Sequence, residues 1–399
     1  MLSPRGLADR ALPPKRGMDH MTRTDFATLE AFAADRLEML EETGLRRELQ
    51  PTARGAGAGA VRSGREMISF CDNDYLGLSM DPRVIEAGAR ALRTFGAGAG
   101  ASRLVTGDHP LNHELETMIA RLKGLPAARV FGSGYLANIG VVPVLVGPGD
   151  LIVMDELSHS CLHAGARLSG ARVERFRHND AAHAGELLTG ARGRSLVITE
   201  TVFSMDGDIA PLADLAAVCA RRSAWLMTDD AHGFGVVEVD NPAPIQVGTL
   251  SKAVGAYGGY VAGPAALIDL LASRARSLVY TTGLPPSVLA SALASIEIMS
   301  SEPQLAATCL ANARLFASLI GHEPVDSAIV PVVFGETAKA MHASEALARE
   351  GYLVSAIRPP TVPEGTARLR FTFSATHREA DVRTLAALVL RQLEVEKVH

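Results

Sequence analysis

Lysine is scarce in this sequence. Only Lys15, Lys123, Lys252, Lys339 and Lys397 occur among 39 cationic residues, so chemistry that needs a primary amine has five candidates. Cysteine is scarcer still. Cys71, Cys161, Cys219 and Cys309 stand far apart with no C-x-x-C pair. That spacing excludes a clustered thiolate site or a disulfide framework, and reduced thiols in a cytoplasmic enzyme are expected. No apolar run reaches the ~18–20 residues of a membrane span. The longest candidate, 139–154, is cut by Pro143, Gly147, Pro148, Gly149 and Asp150. No Lys/Arg block rises above a net charge of −5, which excludes a basic nucleic-acid footprint. The first residues carry charges but no apolar core of a signal peptide.

What is present is a globular chain. Its 399 residues are 47% hydrophobic, enough for two or three domains at roughly 150 residues each. Residues 1–24 read as a disordered head and 25–65 as a helical arm and linker. In that arm, 26–49 has helical spacing and 53–64 (ARGAGAGAVRSG) has loop composition. Residues 66–300 alternate short apolar runs with amphipathic stretches. The predicted strands are 129–131, 151–154, 172–176, 195–199, 225–228, 245–249 and 260–262. The helices between them include 111–122, 159–168 and 212–221. Strands alternating with helices predict an α/β domain, a mostly parallel sheet with helices on both faces. Residues 301–399 read as a smaller α+β domain. Its strands are predicted near 329–333, 352–355 and 368–373, with a last helix at 379–394.

Lys252 follows an apolar strand and precedes Gly255, Gly258 and Gly259. Ligands of open α/β sheets lie at such carboxyl ends. By elimination it is the Schiff-base candidate, against a plain phosphate-binding lysine. Thr228-Asp229-Asp230-Ala231-His232 ends another strand. Its carboxylates suit a metal, or a pyridinium nitrogen that Asp229 keeps protonated. In Phe131-Gly132-Ser133-Gly134-Tyr135-Leu136-Ala137 a strand enters a glycine turn and a helix leaves it, an anion site apt for phosphate. The same string matches G-x-G-x-x-A, with Asp155 placed 21 residues past Gly134, so a nicotinamide enzyme is a rival. The i,i+4 pairs His159/His163 and His109/His113 lack partner ligands in the pattern. Polar packing and no metal are expected. A binding-only protein is a third reading, disfavoured by the presence of Lys252.

Longer strings narrow the choice. CDNDYLGL (71–78), FGSGYLAN (131–138), ELSHSCLHAGARLSG (156–170), TETVFSMDGDIAPL (199–212), TDDAHGFG (228–235), GTLSKAVGAYGGY (248–260) and TTGLPPS (281–287) resemble the α-oxoamine synthases. These are fold-type I pyridoxal-phosphate enzymes that condense an amino acid with an acyl thioester and release CO2. The segment 356–370 (AIRPPTVPEGTARLR) resembles the branch that joins L-alanine to a pimeloyl thioester in biotin synthesis. Other branches take glycine or serine with acetyl, succinyl or palmitoyl donors.

The resemblance implies pyridoxal 5′-phosphate as cofactor, with Lys252 as its Schiff-base partner and Asp229 at the ring nitrogen. His159 stacks on the ring, and Ser204 and His232 lie near its phenolic oxygen. Gly134, Tyr135, Thr249 and a partner subunit's Thr281 hold the phosphate. Arg370 binds the amino-acid carboxylate with Asn73 nearby, and Arg46 and Thr361 contact substrate. A cytoplasmic homodimer is implied, with CoA or an acyl carrier protein as the thiol carrier. One departure stands out: between His232 and Lys252 the chain is short, and VVEVDNPAP (236–244) replaces the usual Gly-Arg-Gly turn.

Overall fold

The computed structural model describes residues 28–43 and 45–398, so the head at 1–24 lies outside the described residues. Seven strands form one sheet: β1 (Ala127–Phe131), β2 (Leu151–Asp155), β3 (Arg172–Phe176), β4 (Ser195–Glu200), β5 (Trp225–Asp229), β6 (Ile245–Thr249) and β7 (Gly259–Gly263). Their order is β1-β7-β6-β5-β4-β2-β3. Only β7 runs antiparallel to its neighbours, β1 and β6. The mostly parallel sheet expected from the sequence is what forms.

The inner strands are largely apolar because both faces are covered, whereas the edge strand β3 carries Arg172, Glu174 and Arg175 and is only half-buried. Along β2, Ile152 and Met154 pack beneath helices Gly134–Leu145 and Ser160–Ser169. Leu151 and Val153 pack beneath Ala181–Leu187 and Leu212–Arg222 on the other face. Burying each such side chain contributes about 1.5–3 kcal/mol. The same alternation sets the chemistry. Glu200, Asp229 and Thr249 each stand two residues beyond a core residue of the first face, Ile198, Met227 and Val247. Side chains at i and i+2 share a face, so all three point toward the two helices that begin at Gly134 and Ser160.

The C-terminal part is a three-stranded antiparallel sheet of Ile329–Gly335, Ala367–Thr372 and Ser355–Ile357. Helices Gln304–Leu319, Thr337–Arg349 and Glu379–Val398 pack on it around Phe316, Phe371 and Phe373.

Two expectations for the arm need correction. The helix covers Leu29–Glu42 only, capped at its start by the Thr28 hydroxyl, which accepts from the Ala31 amide at 3.1 Å. Helical spacing alone overlooks Gly44, a residue that favours the end of a helix over its interior. Residues 53–64 are not a linker. Strands Thr52–Arg54, Gly59–Arg62 and Arg65–Ser69 form an antiparallel meander that also pairs with Tyr352–Leu353. Its turns use Gly57 and Gly64 at φ 61° and 75°, so glycines that look like loop composition serve as hairpin corners. Among the described residues no helix is long and apolar enough to cross a membrane.

Candidate active site

Helix Gly134–Leu145 opens directly after β1. The Ser133 hydroxyl accepts from the Leu136 amide at 3.1 Å and the Ser133 carbonyl from the Ala137 amide at 2.9 Å. The amides of Gly134 and Tyr135 have no such internal acceptor at the positive end of the helix dipole. The turn is tightly seated. A Cβ on Gly259 would stand 2.3 Å from the Gly134 nitrogen, and one on Gly134 would stand 3.3 Å from the Thr249 Cβ. Thr249 Oγ1 lies 2.7 Å from Ser251 Oγ and donates to the Gly258 carbonyl at 3.0 Å. Two free amides at a helix start, beside Thr249 and Ser251 hydroxyls that can rotate their protons from each other and from the Gly258 carbonyl toward a ligand, suit a phosphate monoester. The cradle therefore fits the phosphate of pyridoxal phosphate.

Asp229 is buried at the end of β5. Its Oδ2 accepts from Asn138 Nδ2 at 2.7 Å and its Oδ1 from the Ala231 amide at 3.0 Å. The adjacent Asp230 points to the opposite face, where it is ion-paired at 2.5 Å with the buried Lys123. The two carboxylates thus do not form a metal pocket. Asp229 also faces Lys252, together with Glu200 and Cys161. Burial pushes the Lys252 ammonium below its ordinary pKa. Asp229 and Glu200 oppose that shift, while Arg370 adds to it.

His159 caps helix Ser160–Ser169. Its Nδ1 accepts from the Cys161 amide at 3.3 Å, with Cys161 Sγ at 2.9 Å. Its own amide donates to Glu200 Oε1 at 2.6 Å. Burial and Lys252 lower the imidazole pKa, and Asp229 opposes this. The second i,i+4 pair lies elsewhere: His109 caps a helix and His113 pairs with Asp108 at 2.8 Å.

His232 is buried, with Nδ1 2.6 Å from the Tyr75 hydroxyl. Burial, helped by Lys252 and Arg370, holds it well below the usual histidine range, so it is neutral. Tyr75 also reaches Asn73 Oδ1 at 3.2 Å, and Arg370 Nη2 donates to the same oxygen at 3.3 Å. Burial raises the Tyr75 phenol to about 12. Arg370 sits mid-strand in Ala367–Thr372, between Pro331 and Ser355, and its Nε donates to the Ser204 carbonyl. Two residues earlier, Arg368 pairs with Asp206. These arginines fasten the 204–206 segment to the C-terminal sheet.

Arg46 pairs with the exposed Glu41, with Nη1 at 2.5 Å from Oε2. Its neighbour Arg47 donates to Thr361 Oγ1 at 3.3 Å. Arg47 and Thr361 line a cleft of about 520 Å³ that also contains His159 and Ser204. Thr281 lies half-buried after helix Arg276–Val279, next to the Ser102–Thr282 bridge, and among the described residues it makes no hydrogen bond to the other site residues. Glu200 and Asn138 were not singled out as site residues. Glu200 could have been found by the parity it shares with Asp229, opposite which it pairs in the sheet.

Glu200 carries a prediction. Burial first, then Asp229, pushes its carboxyl up to about 8, against the His159 amide and Lys252, which lower it. It is protonated at neutral pH and ionises as pH rises through about 8. Ionisation places a second negative charge beside Lys252 and strengthens its hold on its proton. The pH profile of turnover should show an inflection near that value, and Glu200→Gln should remove it while keeping the acceptor for the His159 amide.

Residues 65–389 match the aminotransferase class I and II family. The chain belongs to that family, among the α-oxoamine synthases. It is 56% identical over 362 residues to the 8-amino-7-oxononanoate synthase of Methylobacterium nodulans, covering 90% of this chain and 96% of that one. For the protein of the same description from Methylorubrum populi, identity is 57% over 362 residues, with 90% and 94% covered. Among solved structures, a serine palmitoyltransferase from S. paucimobilis with bound PLP is similar at a TM-score of 0.86 and 29% identity, covering 92% of this chain and 98% of that one. The 8-amino-7-oxononanoate synthase of Francisella tularensis is similar at a TM-score of 0.71 and 26% identity, covering 83% and 99%.

Membership of this family displaces the nicotinamide reading, and the geometry agrees. Asp155, the acid expected at a ribose, is fully buried and occupied by His178 Nδ1 at 3.0 Å and by the amides of Leu157 and Asn179 at 2.9 Å. The shortened α-oxoamine synthase segment is pinned to β5, where Asn241 Nδ2 donates to Thr228 Oγ1 at 2.9 Å. It borders a separate cleft lined by Lys123 and Asp230.

Proposed function

We propose that this chain condenses L-alanine with a pimeloyl thioester to give 8-amino-7-oxononanoate, CO2 and a free thiol, in biotin synthesis. The observation that carries the reading is 56–57% identity, over nine-tenths of the chain, to proteins described as 8-amino-7-oxononanoate synthase. Pyridoxal phosphate, when bound, supplies an electron sink for negative charge at an amino acid's Cα.

The protein's own residues do the rest. The Gly134 and Tyr135 amides with Thr249 would hold the phosphate. The Asp229 carboxylate would accept a hydrogen bond from the ring nitrogen and favour its protonated form. His159 would cover the ring and exclude water, and Ser204 and His232 would lie toward its phenolic oxygen. Arg370, oriented by Asn73 and the Ser204 carbonyl, binds the alanine carboxylate. Lys252 removes the Cα proton. An ordinary lysine titrates near ~10.4, so the lowering by burial is what fits it to act as a base near neutrality. One C–C bond forms at the thioester carbonyl and the carrier thiol leaves. The alanine carboxylate departs as CO2, and Lys252 returns a proton to Cα.

Arg47 and Thr361 receive the carboxylate at the far end of the pimeloyl chain. Arg47→Ala should lower the preference for pimeloyl over heptanoyl thioester by about tenfold, as for loss of one charge pair. Arg46→Ala should leave that preference unchanged. Competing the two donors in each variant checks this.

A cytoplasmic homodimer is part of the same reading. Leu104, Val105 and Tyr280 are 62%, 73% and 76% exposed around the Ser102–Thr282 bridge, an apolar surface beside Thr281 suited to a second copy. In such a dimer Thr281 would complete the partner's phosphate site. The thiol carrier is CoA or an acyl carrier protein. The deciding experiment measures thiol release with four pairs: alanine and pimeloyl-CoA, glycine and acetyl-CoA, glycine and succinyl-CoA, serine and palmitoyl-CoA. The first should be fastest, and a faster rate with any other pair assigns the chain to that branch.

A further inference from the structure

The cleft that contains His159 and Ser204 is also lined by His163, Arg167 and Arg175. Nothing in the chemistry above uses these three residues. Arg175 is half-buried near the end of the edge strand β3, and it forms no recorded ion pair or hydrogen bond among the described residues. The acids near it are engaged: Asp206 pairs with Arg368, Glu174 with Arg172, and Glu156 accepts from the His178 amide at 2.9 Å. An unpaired, half-buried guanidinium facing a cleft is costly to maintain unless an anion visits it.

We propose that Arg175, flanked by Arg167, forms an anion site at the outer part of the cleft that binds a phosphate ester of the acyl donor's thiol carrier. The inference rests on the functional reading above for the identity of the donor. Two further observations support it. His163 reports a positive local potential, because burial, then Arg175 and Arg167, push its imidazole down to about 4. It is therefore neutral and leaves the two arginines as the cations. The second is distance. In the sheet order β5-β4-β2-β3, Arg175 stands three strands from Asp229. At about 4.8 Å per strand that is about 14 Å. A seven-carbon chain with bonds of about 1.5 Å spans at most about 9 Å, whereas the arm from a carrier thiol to its first phosphate is roughly twice as long. Arginine pairs with phosphate through two parallel N–H···O bonds, a geometry lysine cannot reproduce.

The test uses the holoenzyme and the variants Arg175→Gln and Arg175→Lys. Calorimetry gives the Kd of free CoA. Steady-state kinetics compare pimeloyl-CoA, pimeloyl carrier protein and pimeloyl-N-acetylcysteamine, which has no phosphate. Arg175→Gln should raise the Kd of CoA and the KM for pimeloyl-CoA about tenfold, with kcat unchanged. The phosphate-free thioester should keep its kcat/KM within about twofold. Arg175→Lys should fall between. A matching loss with the carrier protein assigns the site to the pantetheine phosphate that both donors carry, and a loss with CoA alone assigns it to the nucleotide phosphates. Equal loss on the phosphate-free thioester overturns the proposal, as does unchanged CoA affinity. If the wild type binds CoA through Arg175 but turns over no pimeloyl donor, the functional reading fails while this site stands.

Discussion

Replacing Lys252 by alanine is expected to lower turnover by about 10²–10⁴-fold with the fold intact, the contribution of a positioned base, because neither Lys123 nor Lys339 can take its place. Lys123 is held 2.5 Å from Asp230 on the opposite face of the sheet, and Lys339 lies on the helix Thr337–Arg349 near Glu336. Among the described lysines, Lys252 alone interacts with Asp229, Glu200 and Arg370 together. The variant should still bind pyridoxal phosphate through Gly134, Tyr135 and Thr249. Borohydride should no longer fix the cofactor to the protein, as read by the mass of the chain. Near-normal turnover, or cofactor still fixed by borohydride, would remove Lys252 from its assigned role.

The second large effect is expected at Asp229. Asparagine there has nearly the same shape: its oxygen can still accept from the Ala231 amide, and its NH2 can donate to Asn138 once that side-chain amide turns its otherwise unpartnered Oδ1 inward, so folding should be preserved. What is lost is the charge that keeps a ring nitrogen protonated. A charge-assisted hydrogen bond is worth roughly 1.5–3 kcal/mol, so kcat should fall by about 10- to 100-fold. The electron sink matters most where negative charge develops at Cα, so the KM for alanine should change little. An unchanged kcat with a raised KM for alanine would instead make Asp229 a substrate-binding residue.

Much of this site was legible in the sequence for one physical reason. Strands buried on both faces must be continuously apolar, so the polar residue that ends each run stands out. Asp229 and Lys252 were found that way, and the glycine turn before Tyr135 by its strand-to-helix context. Glu200 ends β4 in the same manner, yet no motif of its own set it apart from Asp229. The arm was read less well. Its 53–64 stretch has the composition of a loop, and its strands gain their order only by pairing with one another and with Tyr352–Leu353. Arg46 and Arg47 lie in residues 45–50, which have no regular structure, so no period in the sequence tells which one turns inward. Arg175 looked like any charged residue on an edge strand until the fold placed it in the cleft with His159.

Carboxyl-labelled L-alanine tests the central claim most directly. In a single reaction with pimeloyl-CoA, labelled CO2 and free CoA thiol should appear together in a one-to-one ratio, and neither should appear without the other substrate. Thiol release without CO2, or conversion of alanine to pyruvate with the label retained, would contradict a decarboxylative condensation and return the chain to simple acyl or amino transfer.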